Sequence, residues 1–465
     1  MENDIVKQIN RTNNEFIRNE LIPFLRIQSN TTNKNGINEA LNYIKTYIED
    51  ISEEIIEFQG EINPIILSKV KGNSETYLLI YMMYDTQPIK DEYKWISPPS
   101  KAKIKTNPSL PEVGECILAR GAYNSKTPLI AFLNIVRILK SMNQLPLSLY
   151  LIFDGEEELG SPSFPQFIQN NLAHIRKCED VYYPALKQNL DGDAVLKLGY
   201  KGILSLTIET FTDNEEVHSS YANIIPNPAY DLIRLINFLF SQDKISLPIL
   251  SKKYELSAED IELLRVLKHK ISIKEIEKKA GIMNSIITEP DEFFYRYLFK
   301  PTFNISTLKS GYLNSGFKNS VPNRSSCNID IRFSHNVAPD RILDELHVKL
   351  EKCKPKLSSN FKIIKNMGYG SSRVSKNSLL VKSLEESFTN LHIPTEIWPI
   401  SAAASPLNIL NNQFGMNYIT GGLGIAGNAH AANEFVQVSS IVNARLGYYF
   451  FLNTYKKRLE KIKSV

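Results

Sequence analysis

Four short polar segments carry the residues with which this chain could do chemistry. Asp85 closes an apolar run from Tyr77 to Tyr84, and Asn124 lies in Ala119-Arg120-Gly121-Ala122-Tyr123-Asn124-Ser125-Lys126, just ahead of a helical pattern. Asp154-Gly155-Glu156-Glu157-Glu158-Leu159-Gly160-Ser161 follows a second apolar run, and His430-Ala431-Ala432-Asn433-Glu434 stands further along the chain. Carboxylates and an imidazole are the donors that hold divalent cations and move protons in hydrolytic sites. Taken singly, each has a plainer reading. The acidic triplet is a solvated turn at a strand end, and His430 is a loop histidine or a satisfied core one. The order of the segments, and their places at strand ends, favour one site.

Together the four motifs resemble the zinc metallopeptidase family of carnosinase-like dipeptidases, glutamate carboxypeptidases, aminoacylases and succinyl-diaminopimelate desuccinylase. That resemblance implies two zinc ions about 3.5–4 Å apart, which polarise an amide carbonyl and generate hydroxide from a shared water. One carboxylate bridges the ions, further ligands complete each, and an uncoordinated Glu handles the water's proton. Carried over residue by residue, Glu158 and His430 match ligands and Glu157 matches the proton-shuttling Glu. Asp85 matches the residue that orients a ligand His. The other ligand positions have changed. The His falls on Met83, whose thioether is a soft, neutral donor. The bridging Asp falls on Asn124, which has one carbonyl oxygen where two anionic oxygens are needed. Counting back without gaps from Gly199-Tyr200-Lys201-Gly202 puts a later Asp on Ala185. One metal position is thereby erased and the second keeps two anchors. The expectation is no metal, or one weakly bound zinc, manganese or cobalt.

Departures continue on the substrate side. Where the family has a Gly-Ser turn, this chain has Ile400-Ser401-Ala402-Ala403-Ala404-Ser405-Pro406, so Ser405 stands without glycine's backbone freedom or a neighbouring Arg. Val217-His218-Ser219-Ser220 resembles the carnosinase-type segment whose His reaches across a dimer to the partner's active site. His218 is then the polariser of the scissile carbonyl, or simply a histidine that closes an interface. Gly316 to Arg324, with Asn323, resembles the substrate-facing loop.

At 465 residues with 43% apolar content, the chain can bury a large core and should split into about two to four domains. Its 54 basic and 50 acidic residues leave no basic stripe for nucleic acid. The polar, acidic opening Met1-Glu2-Asn3-Asp4-Ile5 argues against a signal peptide, and no apolar run is long enough for a membrane span. Four scattered cysteines imply neither a zinc knuckle nor a disulfide framework, so a cytoplasmic protein is expected.

Strand-like runs at Ile65 to Val70, Tyr77 to Tyr84, Leu147 to Phe153 and Met416 to Thr420 interleave with helical patterns at Gly36 to Ile55, Thr127 to Met142, Ser378 to Asn390 and Ser439 to Lys456. The fold class expected is α/β: a three-layer catalytic domain with a mostly parallel mixed sheet, interrupted by an α+β lid or dimerisation domain. The boundaries read as 1–203, 204–365 and 366–465. Within the lid, Ser257-Ala258-Glu259-Asp260 is a capping box that opens a helical insert.

The favoured function is a non-catalytic relative that binds or assembles with itself or with an active paralogue through the lid, with a peptide as a further possible ligand. The alternative is a residual single-metal hydrolase of dipeptides or N-acyl amino acids with Glu157 as base. A third reading makes Asp154, Glu156, Glu157 and Glu158 a mutually repelling acidic pocket for a cationic ligand.

Overall fold

The computed structural model describes residues 2–241 and 244–464. The chain divides into two compact units. One comprises residues 1–198, 374–398 and 413–465, and the other residues 199–373 and 399–412.

The first unit is built on a six-stranded mixed sheet in the order Glu54–Phe58, Ile65–Val70, Ser148–Asp154, Tyr77–Met83, Cys178–Pro184 and Asn417–Gly421. The first three strands pair antiparallel and the remaining pairings are parallel. Tyr77–Met83 and Ser148–Asp154 are buried throughout, which is why they read in sequence as continuous apolar runs rather than alternating ones. Their parallel register sets Met83 beside Asp154, so both strands deliver their polar continuations at the same sheet edge. The helix Lys126–Ser141 packs on Tyr77–Met83 and Cys178–Pro184, and Ile441–Lys463 packs on that helix and on Leu379–Thr389.

One expectation fails here. The helix read through Ile55 ends at Ile48, and Glu54–Phe58 is an edge strand. Its two glutamates are exposed, and Ile55 and Ile56 are only half-buried. That pattern fits a helix face as well as a strand, and only pairing with Ile65–Val70 decides it.

A second, four-stranded sheet in this unit joins Ala426–Gly427, Phe435–Gln437, Glu115–Leu118 and Lys103–Thr106. Phe435 lies opposite Leu118, over a small core of Val113, Cys116 and Leu118. This pairing brings the segment after Leu118 next to the one before Phe435, two stretches more than 300 residues apart in sequence.

The second unit holds an antiparallel sheet in the order Thr302–Ser310, Arg324–Phe333, Gly202–Phe211, Asn360–Tyr369. Arg324–Phe333 alternates strictly, with Cys327, Ile329, Ile331 and Phe333 fully buried. They pack with Leu232, Leu235 and Leu239 of helix Pro228–Leu239 and with Ile342, Leu346 and Leu350 of helix Pro339–Glu351. Between Leu239 and Thr302 lie, among the described residues, four further helices. The capping box Ser257–Asp260 opens Ala258–Lys270, and a second box, Ser272–Glu275, opens Ile273–Ala280.

Candidate functional site

The two polar strand ends, the turn 119–126 and the segment 428–434 meet in the first unit. The turn is organised by Glu434. One carboxylate oxygen accepts from the backbone NH of Gly121 at 3.2 Å, Tyr123 at 3.0 Å and Asn124 at 2.9 Å, while the other takes the Arg120 guanidinium at 2.5 Å. Both side chains are almost completely buried. Burial raises the Glu434 pKa and the Arg120 charge opposes it. Sequence reasoning quoted both residues inside motifs but gave them no role, because their relation is one of three-dimensional register.

Held in this way, Asn124 directs its side-chain amide at Glu158 and His430. Its Nδ2 donates to Glu158 Oε1 at 2.8 Å and lies 3.1 Å from His430 Nε2. Its Oδ1 accepts from Ser125 Oγ at 2.9 Å. Glu158 Oε2 receives a second amide, Gln87 Nε2, at 2.8 Å. Gln87 belongs to the Asp85-Thr86-Gln87-Pro88 motif, and sequence reasoning missed its part in the site. Both oxygens of Glu158 are therefore satisfied by neutral N–H donors, and His430 Nε2 stands 3.2 Å from Oε1. Contact with that carboxylate raises the His430 pKa, against a smaller opposing effect of burial.

Asp85 is wholly buried. One oxygen accepts from Glu158 N at 3.0 Å and the other, Oδ1, has no hydrogen-bond partner. Burial pushes its pKa well above the ordinary carboxylate range, and the charges of Asp154, Glu157 and Glu158 push it further. Two positions earlier Met83 is fully buried at the strand end and can offer Asp85 no donor. Glu157 is pushed up to about 8, chiefly by burial, then by Glu158 and Asp154, with Lys187 pulling the other way. Lys187 Nζ rests on Tyr123 OH at 3.1 Å, beside Asn124. Asp154 is also raised by burial, although Ser161 Oγ, Glu156 N and Tyr81 OH, all within 2.8 Å, hold it down.

Glu156 has a separate task. Its carboxylate accepts from the backbone NH of Ile62, Asn63 and Ser163 at 2.8–3.0 Å, tying down the 60–63 loop. Ala185 follows strand Cys178–Pro184; its NH bonds Gly421 O and its carbonyl accepts from Tyr448 OH. Among the described residues, no group of three or more His, Cys, Asp or Glu side chains is placed to hold a metal ion.

The remaining sequence-predicted residues lie in the second unit. His218 is exposed, and its Nδ1 accepts from Ser220 N at 3.2 Å and meets Ser220 Oγ at 2.9 Å. Asn323 is exposed in the turn before Arg324–Phe333, with its carbonyl taken by Thr212 N. Ser405 is buried, and its hydroxyl and carbonyl receive the NH groups of Leu407 and Asn408.

Comparison with known proteins bears out the resemblance in fold and domain. Residues 198–357 match the model of a peptidase dimerisation domain of the M20 type. The chain is 24% identical over 316 residues to Beta-Ala-His dipeptidase of Rattus norvegicus, an alignment that covers 66% of this chain and 62% of that protein. It is 23% identical over 315 residues to a Cys-Gly metallodipeptidase of Saccharomyces cerevisiae, covering 64% and 60%. The matches thus span about three fifths of the length of these relatives. An M20 family metallo-carboxypeptidase from Sulfolobus solfataricus superposes with a TM-score of 0.84 at 27% identity, over 94% of this chain and 98% of that one. The chain carries an M20 peptidase dimerisation domain within a fold shared with M20 metallopeptidases.

Proposed function

We propose that this chain is a metallopeptidase-fold protein that no longer hydrolyses amides and that acts by binding or assembly. The reading rests on what surrounds Glu158. A zinc ligand presents a lone pair, whereas the Asn124 and Gln87 amides present N–H groups to the carboxylate that would carry the ion. The orphaned Oδ1 of Asp85 supports it, since that oxygen lacks the imidazole a metal-binding His at position 83 would supply. The residues present do not fit a dinuclear zinc centre.

Assembly is the second half of the reading. In the matched dimerisation domain, the outer strand Thr302–Ser310 leaves one edge unpaired and exposes Ile305 and Leu308. Tyr230 and Ile233 lie exposed on helix Pro228–Leu239. Such a surface suits a second copy of this chain, or an active paralogue to which His218 could contribute. Asn323 and Ser405 belong to the substrate side of the same proposal. Four free, buried cysteines accord with a cytoplasmic location, and among the described residues no helix is long and apolar enough to cross a membrane.

One observation favours the second reading, a single-metal hydrolase. Glu158 and His430 still stand 3.2 Å apart, close enough to share one ion, with Glu157 at hand as base. Elemental analysis of the purified protein, paired with dipeptide and N-acyl-amino-acid hydrolysis under added zinc, manganese or cobalt, separates the two. The non-catalytic reading expects substoichiometric metal and no turnover. Stoichiometric metal with turnover abolished in Glu157→Gln overturns it.

A further inference from the structure

The helical insert of the second unit forms a half-open cleft of about 870 Å³, which neither the carboxylate-rich site nor the assembly reading uses. It lies between Phe240, residues 244–251 and the helices Ala258–Lys270 and Pro290–Leu298. The volume falls in the range of small-molecule sites, roughly 300–1,000 Å³.

Its lining combines two chemistries. Leu250 and Leu264, both buried, give it an apolar part with Ile245, Phe240 and the ring of Tyr295. Around them stand five lysines, at positions 244, 252, 253, 268 and 300, against three carboxylates. Those carboxylates are already engaged. Asp291 is taken by Lys268, Glu292 by Arg296, and Glu289 caps its helix by accepting from the NH of Asp291 and Glu292. The lysines are less occupied. Lys253 sits over the Tyr295 ring at 5.1 Å, Lys252 reaches Glu255 only at 3.5 Å with both exposed, and Lys244 and Lys300 make no close ion pair among the described residues, although the charges of Lys300 and Lys253 act on Glu292 from further off.

An apolar lining shared with surplus ammonium groups complements a molecule with a hydrocarbon body and an anionic head. Burying the body gains from leaving water, and the head gains from the lysines without displacing any existing pair. We propose that this cavity binds a single-chain amphiphilic carboxylate, a fatty or acyl acid, independently of whether the first unit holds metal.

Isothermal titration of the full-length protein with octanoate tests this, with acetate as the head alone and 1-octanol as the tail alone. Octanoate should bind one per chain, at least about tenfold tighter than either fragment. The double variant Lys244→Glu/Lys300→Glu should weaken it by about tenfold or more with an unchanged thermal midpoint. Ile261→Asp, at a half-exposed lining position, should do likewise. If that variant loses stability, the charge reversal alone decides. The proposal is overturned if octanoate does not bind, binds no tighter than acetate, or binds the charge-reversed protein as well as the wild type.

Discussion

Replacing Asn124 by Asp changes one NH₂ group to an oxygen, and the structure lets the consequence be worked out. The new carboxylate oxygen would stand at the 2.8 Å position from Glu158 Oε1 that the amide now fills with a hydrogen bond. The lost bond to a charged acceptor costs about 1.5–3 kcal/mol. Two carboxylates at that separation repel by roughly 6 kcal/mol at an effective dielectric of about 20. The pair escapes part of this by retaining one proton, so one carboxyl takes a folded-state pKa above its unfolded value. Such a group contributes stability below the unfolded pKa and loses it as pH rises through the folded one. The penalty should therefore be small near pH 5 and reach about 3–5 kcal/mol near pH 8. At high pH, zinc should recover more than half of it, because the introduced carboxylate, Glu158 and His430 would then supply three donors of metal-binding type. Saturation a hundredfold above Kd returns about 2.7 kcal/mol. Urea denaturation of wild type and Asn124→Asp at the two pH values, with and without zinc, measures all three quantities. A variant as stable as wild type near pH 8 without metal, or zinc stabilising both proteins equally, refutes the assignment of Asn124 to a ligand position.

Two further outcomes are expected. Glu434→Gln leaves the buried Arg120 without its counter-charge and should cost about 3–5 kcal/mol in denaturant unfolding; a loss under about 1 kcal/mol would mean that the turn is held by other bonds. Lys201 is buried, and desolvation lowers its pKa to about 7, so between that value and the unfolded 10.5 the unfolded chain binds the extra proton. Wild-type stability measured relative to Lys201→Met should be flat below about pH 7 and rise above it by up to about 1.4 kcal/mol per pH unit. A difference that stays constant across that range would place the ammonium in contact with water.

What was legible in the sequence followed from local signals. Tyr77–Met83 and Ser148–Asp154 announce themselves because every residue is buried, and the motif at the end of each falls at the sheet edge as a consequence. The capping box at Ser257 is contained within four residues and was equally readable. Cys178–Pro184 was not read as a strand, because Glu179 and Asp180 interrupt it. Asp180 is tolerated only through Tyr455 OH at 2.8 Å and Asn417 Nδ2 at 3.1 Å, partners more than 230 residues away. In the candidate site the segments themselves could be named from sequence, but the bonds that join them could not. Gln87 reaches Glu158 across 71 residues and Arg120 reaches Glu434 across 314, and neither spacing has a periodicity to betray it.

The carboxylate of Glu434 gathers three backbone amides of one turn and a guanidinium. The shape of that turn is thus underwritten by groups of the chain itself, and side chains beside it can be edited without unravelling the scaffold. Asn124 joins that turn through its backbone NH alone, so its side chain can be exchanged while the scaffold around it stays folded.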